Sequence, residues 1–362
     1  MSTAISGANV GFSGLAQIIA RSGQVKARFD ALTQQASSGF IAQSFSGLGP
    51  DAGAALSLGP EINGLKTAQK NIDMAGGTAA VTQTAMTRIQ AIAADLVAQL
   101  PYLNGLSPER IDTSAANARA ALTEVAGLLN SQFNGAYVFA GQDTANPPVP
   151  APDQITSSPF YTQIATAVGG LASNGAAATA ASTLAIAASN TAGTTAFSAY
   201  LSQPASAIAL PSVALGNGHA QPLGILANAN TNGVSTGVST TGSGMRDLMR
   251  ALATVGALSS TQTNDAGFGA LITDTQTSLS GAIASLASDA GALGLRQSSL
   301  KATQTTLGDT TLALTGQLAA AEDTDMTKTL SELTAIQTQL QASYRLISTS
   351  SSMSLVNFLP AG

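Results

Sequence analysis

The 362-residue chain is long enough for two or three domains. It carries a net charge of -5, and only 9% of its residues are charged, with 4% aromatics, no Trp and no Cys. Fourteen Lys and Arg scattered through an acidic chain exclude the clustered basic surface that nucleic acid requires. The absence of cysteine excludes disulfides, thiol catalysis and cysteine-held zinc, and no stretch of about 18 apolar residues offers a membrane span. Ser, Thr, Asn, Gln and Gly therefore carry the solubility that charged side chains, about a quarter of an ordinary globular protein, usually supply.

The two ends carry no charge at all over Met1 to Ala20 and Leu346 to Gly362, yet each leads into a heptad of apolar positions. Leu15, Ser22, Phe29 and Ala36 fall seven apart, interleaved with Ile18, Val25 and Leu32, which is the spacing of a coiled-coil seam. Residues 9 to 37 read as one helix closed at Ser38-Gly39, because Gly accepts a positive φ. Residues 45 to 60 hold six glycines and prolines, too many breakers for one continuous element. Beyond Pro60 the spacing from Ile62 to Leu100 predicts a long amphipathic helix, weakened at Gly76-Gly77 and stopped by Pro101.

Ser107-Pro108-Glu109 predicts a helix start, with Ser as cap, Pro in the first turn and an acid at the positive end of the dipole; the helix should run to about Gln132. Asn134-Gly135 then introduces the β-prone run Ala136 to Ala140, read as a turn and a strand. From Asn146 to Gly244 the composition shifts to Ala, Ser, Thr, Gly and Asn, with a helical Leu171 to Asn190 and a loop-rich or weakly stranded Gly216 to Gly244. Helical spacing returns at Met245, again from Leu271, and in a further stretch from Leu295 after Gly291 and Gly294. At the end Leu333, Leu340 and Ile347 alternate with Leu330, Gln337, Tyr344, Ser351 and Phe358.

The expected fold is mainly α, with long antiparallel helices, terminal coiled-coil helices from both chain ends, and a β-containing outer domain inserted in the middle. Its parts are a terminal assembly domain (1–45 with 319–362), a helical core (46–145 with 245–318) and a variable outer domain (146–244). Uncharged ends favour pairing with other copies over pairing within one chain, and isolated helices of about 25 to 30 residues need a neighbour to order them. The expected assembly interface is Leu15, Ile18, Val25, Phe29, Leu32, Leu330, Leu333, Leu340, Tyr344, Ile347, Leu355 and Phe358.

No catalytic constellation forms around His219, the one histidine, so an enzyme and a cofactor are not expected. Glu322, Asp323 and Asp325 lack the spaced ligands of a calcium loop and read as a helix start. Gly242-Ser243-Gly244 lacks the Lys of a phosphate loop and reads as a linker. The N-terminus has no basic stretch ahead of a compact apolar segment, so export without a cleaved signal peptide is expected.

Several ordered runs resemble the bacterial flagellin family. Ser37-Ser38-Gly39 is similar to the end of the family's first helix. Glu322-Asp323-Thr324-Asp325-Met326 resembles the acidic motif before its last helix, and Gln339 to Tyr344 with Ser354 to Leu359 resembles that helix itself. Phe133 to Gly141 is similar to the segment that leads from the helical into the outer domain in junction-type members. After Gly39 the family continues with a basic residue and an Asp-Asp stretch, where this chain has Phe40-Ile41-Ala42 and later Gly49-Pro50-Asp51. The resemblance covers about the first 145 and last 115 residues. It implies a secreted structural subunit of the extracellular flagellum, whose partners are other copies of itself, hook and filament subunits and an export chaperone. A secreted adhesin or fibre would share the composition and the coiled-coil ends.

Overall fold

The computed structural model describes residues 7–356, apart from 106 and 217. In chain order its helices are α1 (Gly7–Ser38), α2 (Ala52–Leu103), α3 (Pro108–Leu129), α4 (Pro159–Gly169), α5 (Leu171–Ala188), α6 (Gly244–Gly256), α7 (Phe268–Glu322) and α8 (Met326–Val356). The strands are β1 (Gln132–Phe133), β2 (Ala136–Tyr137), β3 (Ser212–Gly216) and β4 (His219–Pro222). They form two antiparallel ribbons, β1 with β2 across the Asn134-Gly135 turn, and β3 with β4, bulged between Ala214 and Gly216. The fold is thus mainly α with a small β component in the middle of the chain, as the periodicity predicts.

The chain divides into two compact units, Met1–Gly64 with Asp309–Gly362, and Leu65–Gly308. In the first, α1 packs against α8. In the second, α6 is buried along its whole length and packs against α3, α4 and α5. The last carbonyl of α6, Gly256 O, accepts from Tyr161 Oη at 2.8 Å and Arg119 Nη1 at 2.6 Å, which satisfies a helix end that water cannot reach. Residues 146 to 244 belong to this second unit and are tied into it: Asn130 exchanges two bonds with Val149, and Ala227 N donates to Phe139 O.

Four local expectations are corrected. Residues 45 to 60 are not one continuous element, as their breakers predict, but the helix expected beyond Pro60 starts earlier: a 3₁₀ segment over Phe45–Asp51 turns at Gly49 (φ 58°) and Pro50, and α2 then starts at Ala52 and runs through Gly53, Gly59 and Pro60. It also continues past Pro101 to Leu103, which is buried. Gly291 and Gly294 do not break α7, because a glycine costs about 1 kcal/mol in a helix. A buried leucine contributes about 2 kcal/mol, and Leu286, Leu293, Leu300 and Leu307 are all buried along that helix. α2 is continuous through Gly76-Gly77, and the ring of Phe133 lies where a Gly77 side chain would be.

The fourth concerns Ala136 to Ala140, of which only Ala136 and Tyr137 pair as strand. Val138, Phe139 and Ala140 are buried, so the apolar run fills the core of the unit instead of extending a sheet. Ser107 occupies the cap position of α3 with extended backbone but makes no side-chain cap bond, and α3 ends at Leu129, short of Gln132.

Candidate self-assembly surface

Two contacts fix the direction of α8 on α1. Thr324 N donates to Gly39 O at 2.8 Å, and Arg28 Nη2 reaches Glu332 Oε2 at 3.3 Å, so the helices run antiparallel within one chain. Within one chain, then, α1 packs along α8. On α1 the covered face follows the predicted heptad: Ser22 and Leu32 are buried, and Ile18, Val25 and Phe29 are half-buried. Leu15 and Leu355 fall on helical backbone, but their side chains and the whole of Phe358 lie outside the described residues.

On α8 the predicted stripe is half right. Leu333, Leu340 and Ile347 are half-buried in the seam, but the positions alternating with them are Thr329, Ile336 and Ser343, of which Thr329 and Ile336 are buried. Leu330, Gln337 and Tyr344 instead face out, with Leu330 49% and Tyr344 50% exposed. A seam leucine has neighbours both three and four residues away on each side, so the heptad count alone does not choose the flank. The structure places Met326, Leu330 and Tyr344 on one exposed stripe beside the seam.

The turn between α7 and α8 is held by main-chain bonds to the end of α1. Besides the bond to Gly39, Ile41 N donates to Glu322 O at 2.7 Å. Gly39 reaches its place with φ 79°, which a side chain would resist. Asp325 Oδ1 accepts from Lys328 N at 3.1 Å and caps α8. The acidic run is thus a helix start, and no metal-ligating cluster occurs among the described residues. Next to this turn a cavity of about 520 Å³ is lined by Phe40, Phe45, Leu48 and Glu322, with Phe40 45% and Phe45 50% exposed.

Exposed apolar side chains concentrate in this unit. Of the fifteen large ones among the described residues, ten fall within 1–64 and 309–362, about a third of the chain. None of the described helices is long and apolar enough to cross a membrane.

The second unit contains a charged network that the sequence did not suggest. Asp247 of the buried α6 accepts from Thr240 Oγ1, Thr241 N and Thr241 Oγ1. Arg250, 1% exposed, pairs with Asp274 at 2.7 Å. Asp289 of α7 accepts from Thr231 N and Asn232 N, and its burial raises its carboxyl above the usual range. The three carboxylates hold the loop 228–244 onto α6 and α7. In Gly242-Ser243-Gly244 the amides are taken by Thr240 Oγ1, Thr241 Oγ1 and Asn230 Oδ1, so none is left to cradle a phosphate. His219 stands exposed on β4.

Residues 16–144 match the family model described as the bacterial flagellin N-terminal helical region, and residues 277–359 match the one described as the bacterial flagellin C-terminal helical region. Together they take in most of α1, all of α2 and α3, most of α7 and all of α8. No curated protein shows significant similarity to the chain.

Proposed function

Because the chain belongs to the bacterial flagellin family, whose members are structural subunits that self-assemble, we propose that it forms the junction between hook and filament, as hook-associated protein 3 does. It is a structural component of the flagellum, in a family whose role is assembly and not catalysis. In the proposed mechanism the α1/α8 pair packs axially against pairs from neighbouring copies. Met326, Leu330 and Tyr344 supply the contact face; Ile18, Val25, Phe29, Leu32, Leu333, Leu340 and Ile347 hold each pair together; and Leu15, Leu355 and Phe358 extend the interface at the ends. Hook subunits below, filament subunits above and an export chaperone complete the partners, and the chain leaves the cell without a cleaved signal peptide.

The observation that carries self-assembly is the apolar stripe left exposed beside the α1/α8 seam. The junction role is supported by the segment Phe133 to Gly141, similar to that of junction-type members. A second reading, the filament flagellin itself, is favoured by the descriptions of both matching family models. A deletion strain separates the two by electron microscopy of the cells and mass spectrometry of the medium. Intact hooks with filament flagellin shed into the medium are expected for the junction. Hooks without shed flagellin would identify the filament subunit, and normal flagella would reject both readings.

A further inference from the structure

The loop 228–244 carries its side chains the wrong way round for a segment laid on a protein core. Gly233-Val234-Ser235-Thr236-Gly237-Val238-Ser239-Thr240 is one four-residue unit in tandem. Its serines are buried, Ser235 at 2% and Ser239 at 5% exposure, whereas Val234 is 71% and Val238 91% exposed. The hydrophobic effect alone would reverse that choice. Specific bonds impose it instead. Ser239 Oγ donates to Asp274 Oδ2 at 3.0 Å and accepts from Arg250 Nη1 at 3.0 Å, Asn232 N donates to Asp289 Oδ1 at 2.6 Å, and Thr236 O lies where a Gly281 side chain would be. Residues 232–239 thus cover the stretch of α7 between Asp289 and Asp274, about 22 Å at about 1.5 Å per residue, so the segment runs extended along the helix. The amides of Val234, Thr236 and Val238 have no protein partner among the described residues.

The same unit carries a cleft of matching character, about 510 Å³ in volume. It is lined by Met74 and Ala75 of α2, Phe133 and Ala136 of the β1/β2 hairpin, and Val213 and Ala214 of β3, with no charged residue. β3 pairs with β4 alone among the described residues, and β4 adds nothing to the lining, so the cleft lies beside the unpaired edge of β3. Such an edge takes up an extended segment through main-chain bonds while alternate side chains enter the pockets beside it. Residues 227–245 are likewise uncharged, so two copies of an acidic chain meet here without repulsion. The segment and the cleft do not meet within one chain. Gln304 of α7 bonds Asp73 beside the cleft, whereas Thr236 packs on Gly281, about 35 Å away along the same helix at about 1.5 Å per residue. Two complementary patches so displaced are what a head-to-tail contact between copies requires. Two valines bury far less than the roughly 1,200 Å² of a stable complex, so the contact reinforces an assembly and does not pair free chains.

Resting on the reading of the chain as a self-assembling flagellar subunit, we propose that residues 233–239 of one copy dock in the cleft beside β3 of a neighbouring copy, with Val234 and Val238 against Met74 and Phe133. Because the chain has no cysteine, Val238→Cys combined with Met74→Cys reports the contact directly. Flagella isolated from cells carrying this variant are oxidised with copper phenanthroline and run on non-reducing gels. Disulfide-linked species larger than a dimer are expected, joined between the peptides that carry positions 74 and 238. Val238→Cys alone, and Val238→Cys with Tyr102→Cys, a site 72% exposed elsewhere on α2, should stay monomeric. Val238→Asp should leave the melting temperature of the purified chain unchanged and lower its incorporation into flagella at least fivefold by quantitative mass spectrometry. No cross-link in flagella that contain the doubly substituted chain, equal cross-linking of the Tyr102 control, or parental incorporation of Val238→Asp would each overturn the contact while leaving the assembly reading intact. Absence of the parent chain from isolated flagella would overturn that reading and the contact with it.

Discussion

The ring of Phe133 sits against the backbone of Gly77: a β-carbon added to Gly77 would come within 2.2 Å of Phe133 Cζ. Through this contact the β1/β2 hairpin rests directly on α2. Alanine at 77 would improve intrinsic helix propensity by about 1 kcal/mol, but it also displaces an aromatic ring from its seat, at about 1 to 3 kcal/mol. Gly77→Ala is therefore expected to lower stability, and Gly77→Ala with Phe133→Leu to recover part of the loss. Thermal melts of the two variants check this; a single variant more stable than the parent would show that the ring moves aside freely.

The Asp289 carboxyl is raised by desolvation, against which the amides of Asn232 and Thr231 act in part. Its folded pKa lies above its unfolded value, so its contribution to stability is fully present below the unfolded pKa and is lost as pH rises through the folded one. Relative to Asp289→Asn, which does not titrate, the parent should gain stability as pH falls from neutral toward the ordinary carboxylate range. The difference in melting temperature between parent and variant, followed over that window, should grow in the parent's favour. A difference that is flat or shrinks on acidification would contradict the burial-driven shift.

Asp325 caps α8 through Lys328 N, and the segment around it is fastened by Gly39 O and Glu322 O. Asp325→Ala should cost about 1 kcal/mol, the usual worth of a helix cap, and a chelator should leave the melting temperature of the parent unchanged. Destabilisation by the chelator would instead give the acidic run a metal-binding role.

The sequence made the helices legible wherever apolar residues recur at three and four, which covers α1, the body of α2, α3 and both halves of α7. Breakers were weighed too heavily. Gly53, Gly59, Pro60, Gly291 and Gly294 all lie inside helices, because a propensity cost near 1 kcal/mol is overridden by the buried stripes around them. Gly77 could not be read at all, since the residue that requires it lies 56 positions along the chain, at Phe133. The charged network of α6 was hidden for a different reason. Arg246, Asp247 and Arg250 carry the chemistry of an exposed face, and their burial depends on partners at 187–190, in the loop 228–244 and at Asp274 of α7, none of them near in sequence to mark α6 as buried.

The heptads at the two ends predict a seam but leave its flank open, and the flank bears on assembly. Leu340 is half-buried between α1 and α8, while Tyr344, one turn on, is 50% exposed. Leu340→Asp brings a charge into the seam and should cost about 2 to 4 kcal/mol in the terminal unit. It should therefore block incorporation by loosening the pair, while the second unit melts as in the parent. Tyr344→Glu places its charge outside the seam, so the helix content and melting temperature of the monomer should stay at parental values. Its incorporation into flagella should nonetheless fall at least tenfold, because a charge would have to be buried between copies. Circular dichroism of the purified variants with quantitative mass spectrometry of isolated flagella measures both quantities. If Tyr344→Glu incorporates normally, the exposed stripe is not the contact face; if Leu340→Asp does so, the helix pair is not what neighbouring copies recognise.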